Sequence, residues 1–225
     1  MSDPTLDEMR EMLAAELSQH AAFDGWTPEA LALAAEATGI DRDVANLAFP
    51  GGAVDMIAAW FAHIDRAMLS NLPPETLATM KIRARITALV EARLDMLAAD
   101  IEAVRRALAV LALPQNLGRA ARLGWGAADT MWHAAGDTAT DFNHYSKRAI
   151  LGGVYMATVM AMMDDESEGF ADTRAFLGRR IEGIMRFEKF KGRFTHSAPE
   201  RLSLARFLGR LRYPARQYCY YMNGL

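Results

Sequence analysis

The 225-residue chain contains a single cysteine, Cys219. That excludes an intramolecular disulfide framework and a thiolate zinc cluster, and it suits a reducing compartment. β-Branched residues are sparse, and no segment alternates apolar and polar residues as a half-buried strand does. Long hydrophobic runs are missing too. The longest uncharged one, AILGGVYMATVMAMM at 149–163, has 15 residues, short of the roughly 20 that a membrane-spanning helix needs; it reads as a helix buried in a core or a subunit interface. The amino-terminal MSDPTLDEMREML is acidic and has no apolar signal core, so no secretory or transit peptide is expected. A Gly-rich phosphate loop, a nucleophile elbow and a Cys/His dyad are all lacking. No catalytic residue, metal site or cofactor is therefore expected, and the chain reads as no enzyme.

What the chain does have is 52% apolar residues, dominated by Ala, Leu and Met, the composition of an all-α protein. Residues 4–20 set Leu6, Met9, Leu13 and Leu17 on one helical face. In WTPEALALAAEATGID, Thr27 caps a helix with Pro28 at its first position, Trp26 and Leu31 sit at staple spacing, and Gly39 ends the helix. Asp41 caps a short third helix that runs to about Ala48, and a fourth spans about Val54 to Ser70. Residues 75–111 read as one long or two consecutive helices, and further helices are expected to about Ala135, to about 163 and over about 171–190. Asp137 or Thr138 is expected to cap the helix that follows Gly136.

Three short helices with this turn, followed by a helical body, resemble the TetR-type regulator fold. That resemblance raises a charge problem. Across residues 21–66 there are seven acids (Asp24, Glu29, Glu36, Asp41, Asp43, Asp55 and Asp65) and two bases, Arg42 and Arg66. A duplex is held by cationic and amide contacts to phosphate, and a head of charge −5 repels one. Positive charge gathers instead at residues 186–216, which carry nine bases against two acids. Within that arm, Leu204, Phe207, Leu208 and Leu211 share one helical face. Arg206 and Arg210 lie opposite, and Arg201 and Arg212 flank the stripe. Such a helix suits a membrane interface, each basic residue near an anionic leaflet adding about 1 kcal/mol. It equally suits packing on the protein's own body with the arginines in solvent.

A second polar and aromatic concentration is WGAADTMWHAAGDTATDFNHYSKR, residues 125–148. Asp129, His133, Asp137 and Asp141 recur every four residues, but Gly136 breaks the helix that would align them as metal ligands, and no Glu-x-x-His pair accompanies them. The block reads as a protein-binding surface of aromatic anchors and charges; capping and internal pairing of Lys147 and Arg148 with the acids is the alternative.

The blocks AFDGWTPEALALAAEATGID, LAFPGGAVDMIAAWF, LPQN, MWHAAGDTATDFNHYSKRAIL and DDESEGFADTRAFLGRRI, in this order, resemble the coenzyme Q biosynthesis protein nine family, over about residues 20–214. The resemblance implies a TetR-like all-α fold, a homodimer and a non-enzymatic accessory role in ubiquinone biosynthesis. Its members bind an isoprenoid lipid or quinone precursor and assist the di-iron demethoxyubiquinone hydroxylase. It implies three parts: a helix-turn-helix-like head that does not bind DNA (1–70), a helical lipid-binding and dimerisation body (71–192) and a membrane-associating helix (197–214). The partner-facing patch carried over is Asp129, Trp132, Asp137, Asp141, His144, Tyr145 and Arg148, where His144 replaces the Trp that members often have before the Tyr. Tyr155, Met156, Met160 and Met163 are the expected lipid contacts, Met being adaptable in shape. The location implied is the cytoplasmic side, peripheral on the inner face of a bacterial inner membrane. The competing function is a TetR-type transcriptional regulator that senses a hydrophobic ligand.

Changing Phe207, Leu208 and Leu211 together to Ser is expected to abolish co-flotation with liposomes containing anionic lipid, while the unaltered chain floats increasingly as the anionic fraction rises. Equal flotation of the two proteins would rule out the membrane helix.

Overall fold

The computed structural model describes residues 4–138 and 142–195, with the side chains of 142–143 and 185–195 excepted. Asp141 and the whole expected amphipathic helix at 197–214 lie outside them. Ten α-helices make up the described chain, and it contains no strand: α1 (Leu6–Asp24), α2 (Pro28–Thr38), α3 (Arg42–Ala48), α4 (Ala53–Asn71), α5 (Pro74–Ala78), α6 (Ile82–Ala99), α7 (Ile101–Leu111), α8 (Leu117–Ala134), α9 (Phe142–Met163) and α10 (Ala171–Thr195). Single 3-10 turns at Pro114–Asn116 and Glu168–Phe170 introduce α8 and α10.

The head forms through local chemistry. Thr5 and Glu8 make a reciprocal capping box on α1. The Thr27 hydroxyl accepts from the Ala30 amide, and the Asp41 carboxylate accepts from the Asp43 and Val44 amides. Gly39 ends α2 in the left-handed region at φ 68°. A methyl group there would meet no atom within 4 Å, so backbone conformation alone requires glycine. At Gly51 a Cβ would stand 2.5 Å from the Asp55 carboxylate that receives its N–H, so a larger residue there would displace that side chain. On α1 the buried face is Leu13, Ala14, Leu17, Ser18 and Ala21. The expected stripe is thus half right, because Leu6 lies in the first turn, before the helix reaches its neighbours, and is exposed.

Head and body share one core. α1 packs on α2, α3 and α4 and also on α7, while α4 packs on α6, α7 and α8. Trp26 joins them: its ring lies 5.2 Å from that of Trp60 on α4 and its indole N–H donates to the Ala103 carbonyl of α7 at 3.1 Å. Met1–Glu182 accordingly form a single compact unit, and a second begins at Gly183, within α10. The expected division near residue 70 marks no break in packing.

Residues 75–111 hold three helices rather than one or two. The breaks at Thr79–Lys81 and at Asp100 (φ −126°, ψ 48°) use no Gly or Pro and so leave no mark in the pattern. Arg85 satisfies the ends exposed by the first break, donating to the Met80 and Ala78 carbonyls behind it and to Ala135 at the end of α8. Asp165 starts α10 by accepting from the amides and hydroxyls of Ser167 and Thr173. Those bonds hold its carboxyl far below the usual carboxylate range.

Gly39→Ala is expected to cost about 1–2 kcal/mol, the penalty of a Cβ in the left-handed region, read as a lower urea midpoint with an unchanged m-value. An unaltered midpoint would show that α2 ends elsewhere.

Candidate functional site

Below the head, α4, α6, α7, α8 and α9 enclose a cavity of about 300 Å³. The walls come from the inward faces of five helices: Phe61 on α4, Leu97 on α6, Leu108 and Leu111 on α7, Leu123 and Ala127 on α8, and Val159 on α9. An apolar pocket walled this way is the usual form of a small-molecule site in a helical protein. Of the four expected lipid contacts, Tyr155, Met156 and Met160 line the cavity. Met163 does not. Three residues further along α9 it packs, partly buried, against the core, and its carbonyl accepts from Arg105.

Two polar side chains stand among the lining residues, Arg93 and Tyr155. Arg93 is 1% exposed and pairs with Asp65 of α4. Its Nε donates to the Tyr155 hydroxyl at 2.8 Å, and its guanidinium lies over the rings of Phe61 and Tyr155 at 5.7 and 5.3 Å. Such a cation survives in an apolar core only because it is paired and hydrogen-bonded. Sequence reasoning passed over Arg93. The available signal was an arginine among Leu89, Val90, Leu94 and Leu97, on the face of α6 that those residues bury.

The α8–α9 corner gathers most of the expected partner residues, but several of them bond inward. Arg148 is 1% exposed and pairs with both Asp129 of α8 and Asp137 of the connecting segment, and it also donates to the His144 carbonyl. The Asp137 side chain, 6% exposed, also binds Lys147 at 2.7 Å. Burial pushes the Asp137 carboxyl up, but hydrogen bonds and charge from Lys147 and Arg148 outweigh this and hold it below its ordinary value. Arg148 is likewise pushed down by burial and raised on balance by its two carboxylates. The Trp132 indole donates to the Lys147 carbonyl while the Lys147 ammonium sits 5.3 Å from the Trp132 ring centroid. Asp137 and Arg148 therefore act as the internal brace of the corner. The helix expected to be capped by Asp137 or Thr138 begins only at Phe142, and its cap position lies outside the described residues. Tyr145, 60% exposed, is the outward-facing member, with Trp125 of α8 beside it at 6.2 Å between ring centroids and His144 at 5.1 Å. Asp129, Trp132 and His144 are half-buried. Among the described residues no three His, Cys, Asp or Glu side chains converge as a metal site.

The segment that supplies this corner and one wall of the cavity also carries the family signal. Residues 117–188 match the COQ9 family. The COQ9 match starts at the first residue of α8 and ends within α10, so it includes Arg148 and Tyr155 but neither Arg93 nor residues 197–214. The chain is 36% identical over 168 residues to the mitochondrial ubiquinone biosynthesis protein COQ9 of Rattus norvegicus, covering 72% of this chain and 54% of that protein. With the human protein of the same name it shares 34% over 72% of this chain and 52% of the relative, and with that of Schizosaccharomyces pombe 27% over 73% and 65%. The chain thus spans about half the length of the mammalian relatives it matches. The resemblance to the coenzyme Q biosynthesis protein nine family, read from the blocks of the sequence, holds. A solved TetR transcriptional regulator from Nitrosomonas europaea superposes with a TM-score of 0.62 at 24% identity, over 78% of this chain and 97% of the regulator. The fold is TetR-like and all-α, as expected.

Removing the brace is expected to be costly. Arg148→Met takes from Asp137 one of its two cationic partners, leaving Lys147, and should lower stability by up to about 3–5 kcal/mol, the cost of breaking a buried pair, read by urea unfolding, with Arg148→Lys intermediate. The depressed Asp137 value also fixes a sign. An unfolded Asp titrates near ~3.9, so the contribution of this group is complete above about pH 4 and is lost as pH falls through the lower folded value. Equal stability of the Met variant would refute the brace.

Proposed function

We propose that this chain is a non-enzymatic lipid-binding accessory protein of ubiquinone biosynthesis. It takes an isoprenoid quinone precursor from the membrane and presents it to the di-iron demethoxyubiquinone hydroxylase. The observation that carries the reading is the apolar cavity between α4 and α9, in a chain whose relatives are named ubiquinone biosynthesis proteins. Affinity comes from apolar burial, at roughly 25 cal/mol per Å² removed from water, and orientation from the few polar groups in the wall. The polar groups available to orient a ligand are one tyrosine and one ion-paired arginine.

Membrane approach is assigned to the basic stretch with Leu204, Phe207, Leu208 and Leu211. No single described helix is long and apolar enough to cross a bilayer. The relatives are named as mitochondrial proteins rather than proteins of a bacterial inner membrane, so the location proposed is the peripheral one alone, on an anionic membrane surface. Contact with the hydroxylase is assigned to the exposed Tyr145 and Trp125 with His144, Asp129 and Trp132 at their border, and a homodimer is the proposed assembly.

A transcriptional regulator is the second reading, and the shared fold is its only support. The charge of the head opposes it. Asp55 and Asp65 are neutralised by Arg119 and Arg93, yet Asp24, Glu29, Glu36, Asp41 and Asp43 remain exposed around α2 and α3 with Arg42 as the sole base among them. On α3 itself the outward side chains are Arg42, Asp43, Asn46 and Leu47, too few cations for a phosphate backbone.

Deleting the gene is expected to cause a demethoxyquinone to accumulate, measured by mass spectrometry of extracted lipids. Reintroducing the intact gene should restore the profile, and reintroducing it with Ala120→Trp, which fills the cavity, should not. An unchanged profile on deletion would remove the pathway from the reading; full rescue by the filled variant would remove the cavity.

A further inference from the structure

We infer that Arg93 and Tyr155 form a neutral polar seat in the cavity wall that takes an oxygen acceptor of an uncharged ring compound. A quinone-type ligand then enters ring first and leaves its tail outside. The inference rests on the lipid-binding reading above and specifies which end of the ligand the cavity holds.

The hydrogen-bond inventory carries the argument. The Tyr155 hydroxyl accepts the Arg93 Nε–H at 2.8 Å. Tyr155 is 5% exposed, and its own O–H proton finds no acceptor among the described residues. A buried donor without an acceptor is costly, and native structures usually supply one from protein, water or ligand. The guanidinium that donates to the phenol oxygen also polarises the O–H bond, which strengthens it as a donor to a third group. What Tyr155 lacks is therefore an oxygen with a lone pair.

Charge restricts which oxygen that is. Asp65 already balances Arg93, so the seat carries no net charge. A carboxylate or phosphate would bring an uncompensated anion between apolar walls, whereas a quinone carbonyl or a ring ether brings none. Size points the same way. About 300 Å³ lies at the small end of ligand pockets and accommodates a substituted ring with the start of a chain, not a polyprenyl tail. Met156 and Met160 both line the cavity and stand exposed on the outer side of α9. Their flexible thioethers suit a mouth through which a tail passes.

The test uses the full chain with three probes: decylubiquinone, decylbenzene and oleate. The unaltered protein is expected to bind decylubiquinone about tenfold or more tighter than decylbenzene, with oleate no tighter than decylbenzene. Tyr155→Phe keeps the ring and removes the hydroxyl. It should weaken decylubiquinone by about 5–30-fold, the loss of one buried hydrogen bond, and leave decylbenzene within about twofold. In infrared difference spectra the bound quinone carbonyl should shift to lower wavenumber in the unaltered protein and return in the variant. Binding of none of the probes by the unaltered protein would overturn the lipid-binding reading and the seat with it. Binding of decylbenzene as tightly as decylubiquinone, or equal effects of the variant on both, would overturn the seat and leave the cavity. Should the variant not fold, the carbonyl band in the unaltered protein decides alone: an unshifted band overturns the seat.

Discussion

The ion pair between Arg93 and Asp65 is the constraint around which the described structure is arranged. It places a guanidinium inside an apolar core, where desolvation makes an unpaired charge untenable. Every group that meets it must therefore come from a fixed place: the carboxylate from α4, the phenol from α9 and the flanking ring of Phe61 from α4 again. The pair thus ties the last helix of the head to two helices of the body. The same helices wall the cavity, so the position of its two polar groups is set by packing and not by a loop. A site held on helices by its neighbours is rigid before any ligand arrives.

A second buried arginine does comparable work at the other end of α9. Arg148 holds α8, the segment after it and α9 together through two carboxylates. The consequence for function is indirect. By consuming Asp137 and Lys147 internally, the brace leaves Tyr145 and Trp125 as the outward features of the corner. In the proposed docking surface these aromatic side chains stand over a braced base. The charges in this motif support the surface from below.

The head shows a fold held by local devices that do not depend on the charge of its exposed face. The caps at Thr27 and Asp41 and the left-handed Gly39 are local devices, and they work whatever charge the exposed face bears. Trp26 reaches across to α7, which makes the head part of the core of the body. Its contribution to stability is thus independent of any contact with nucleic acid, and the acids on α2 and α3 are free to face solvent.

Much of the architecture was legible in the order of residues alone. Periodicity marked the long helices, and capping residues marked their ends, because both are properties of a few neighbouring positions. Tyr155, Met156 and Met160 could be named from one helix, since they recur on an apolar stretch. The remainder depended on partners far away in the chain. Breaks at Thr79–Lys81 and Asp100 carry no Gly or Pro, and only packing and the reach of Arg85 account for them. Whether Asp137 capped a helix or paired inward was undecidable until α8 and α9 were set side by side. Arg93 acquired meaning only when Asp65 and Tyr155, 28 and 62 positions away, came within reach. Helices and their charges are short-range facts and so were determined by the sequence itself. A cavity, and the proton left over within it, are sums over five helices, and only the tertiary structure decided them.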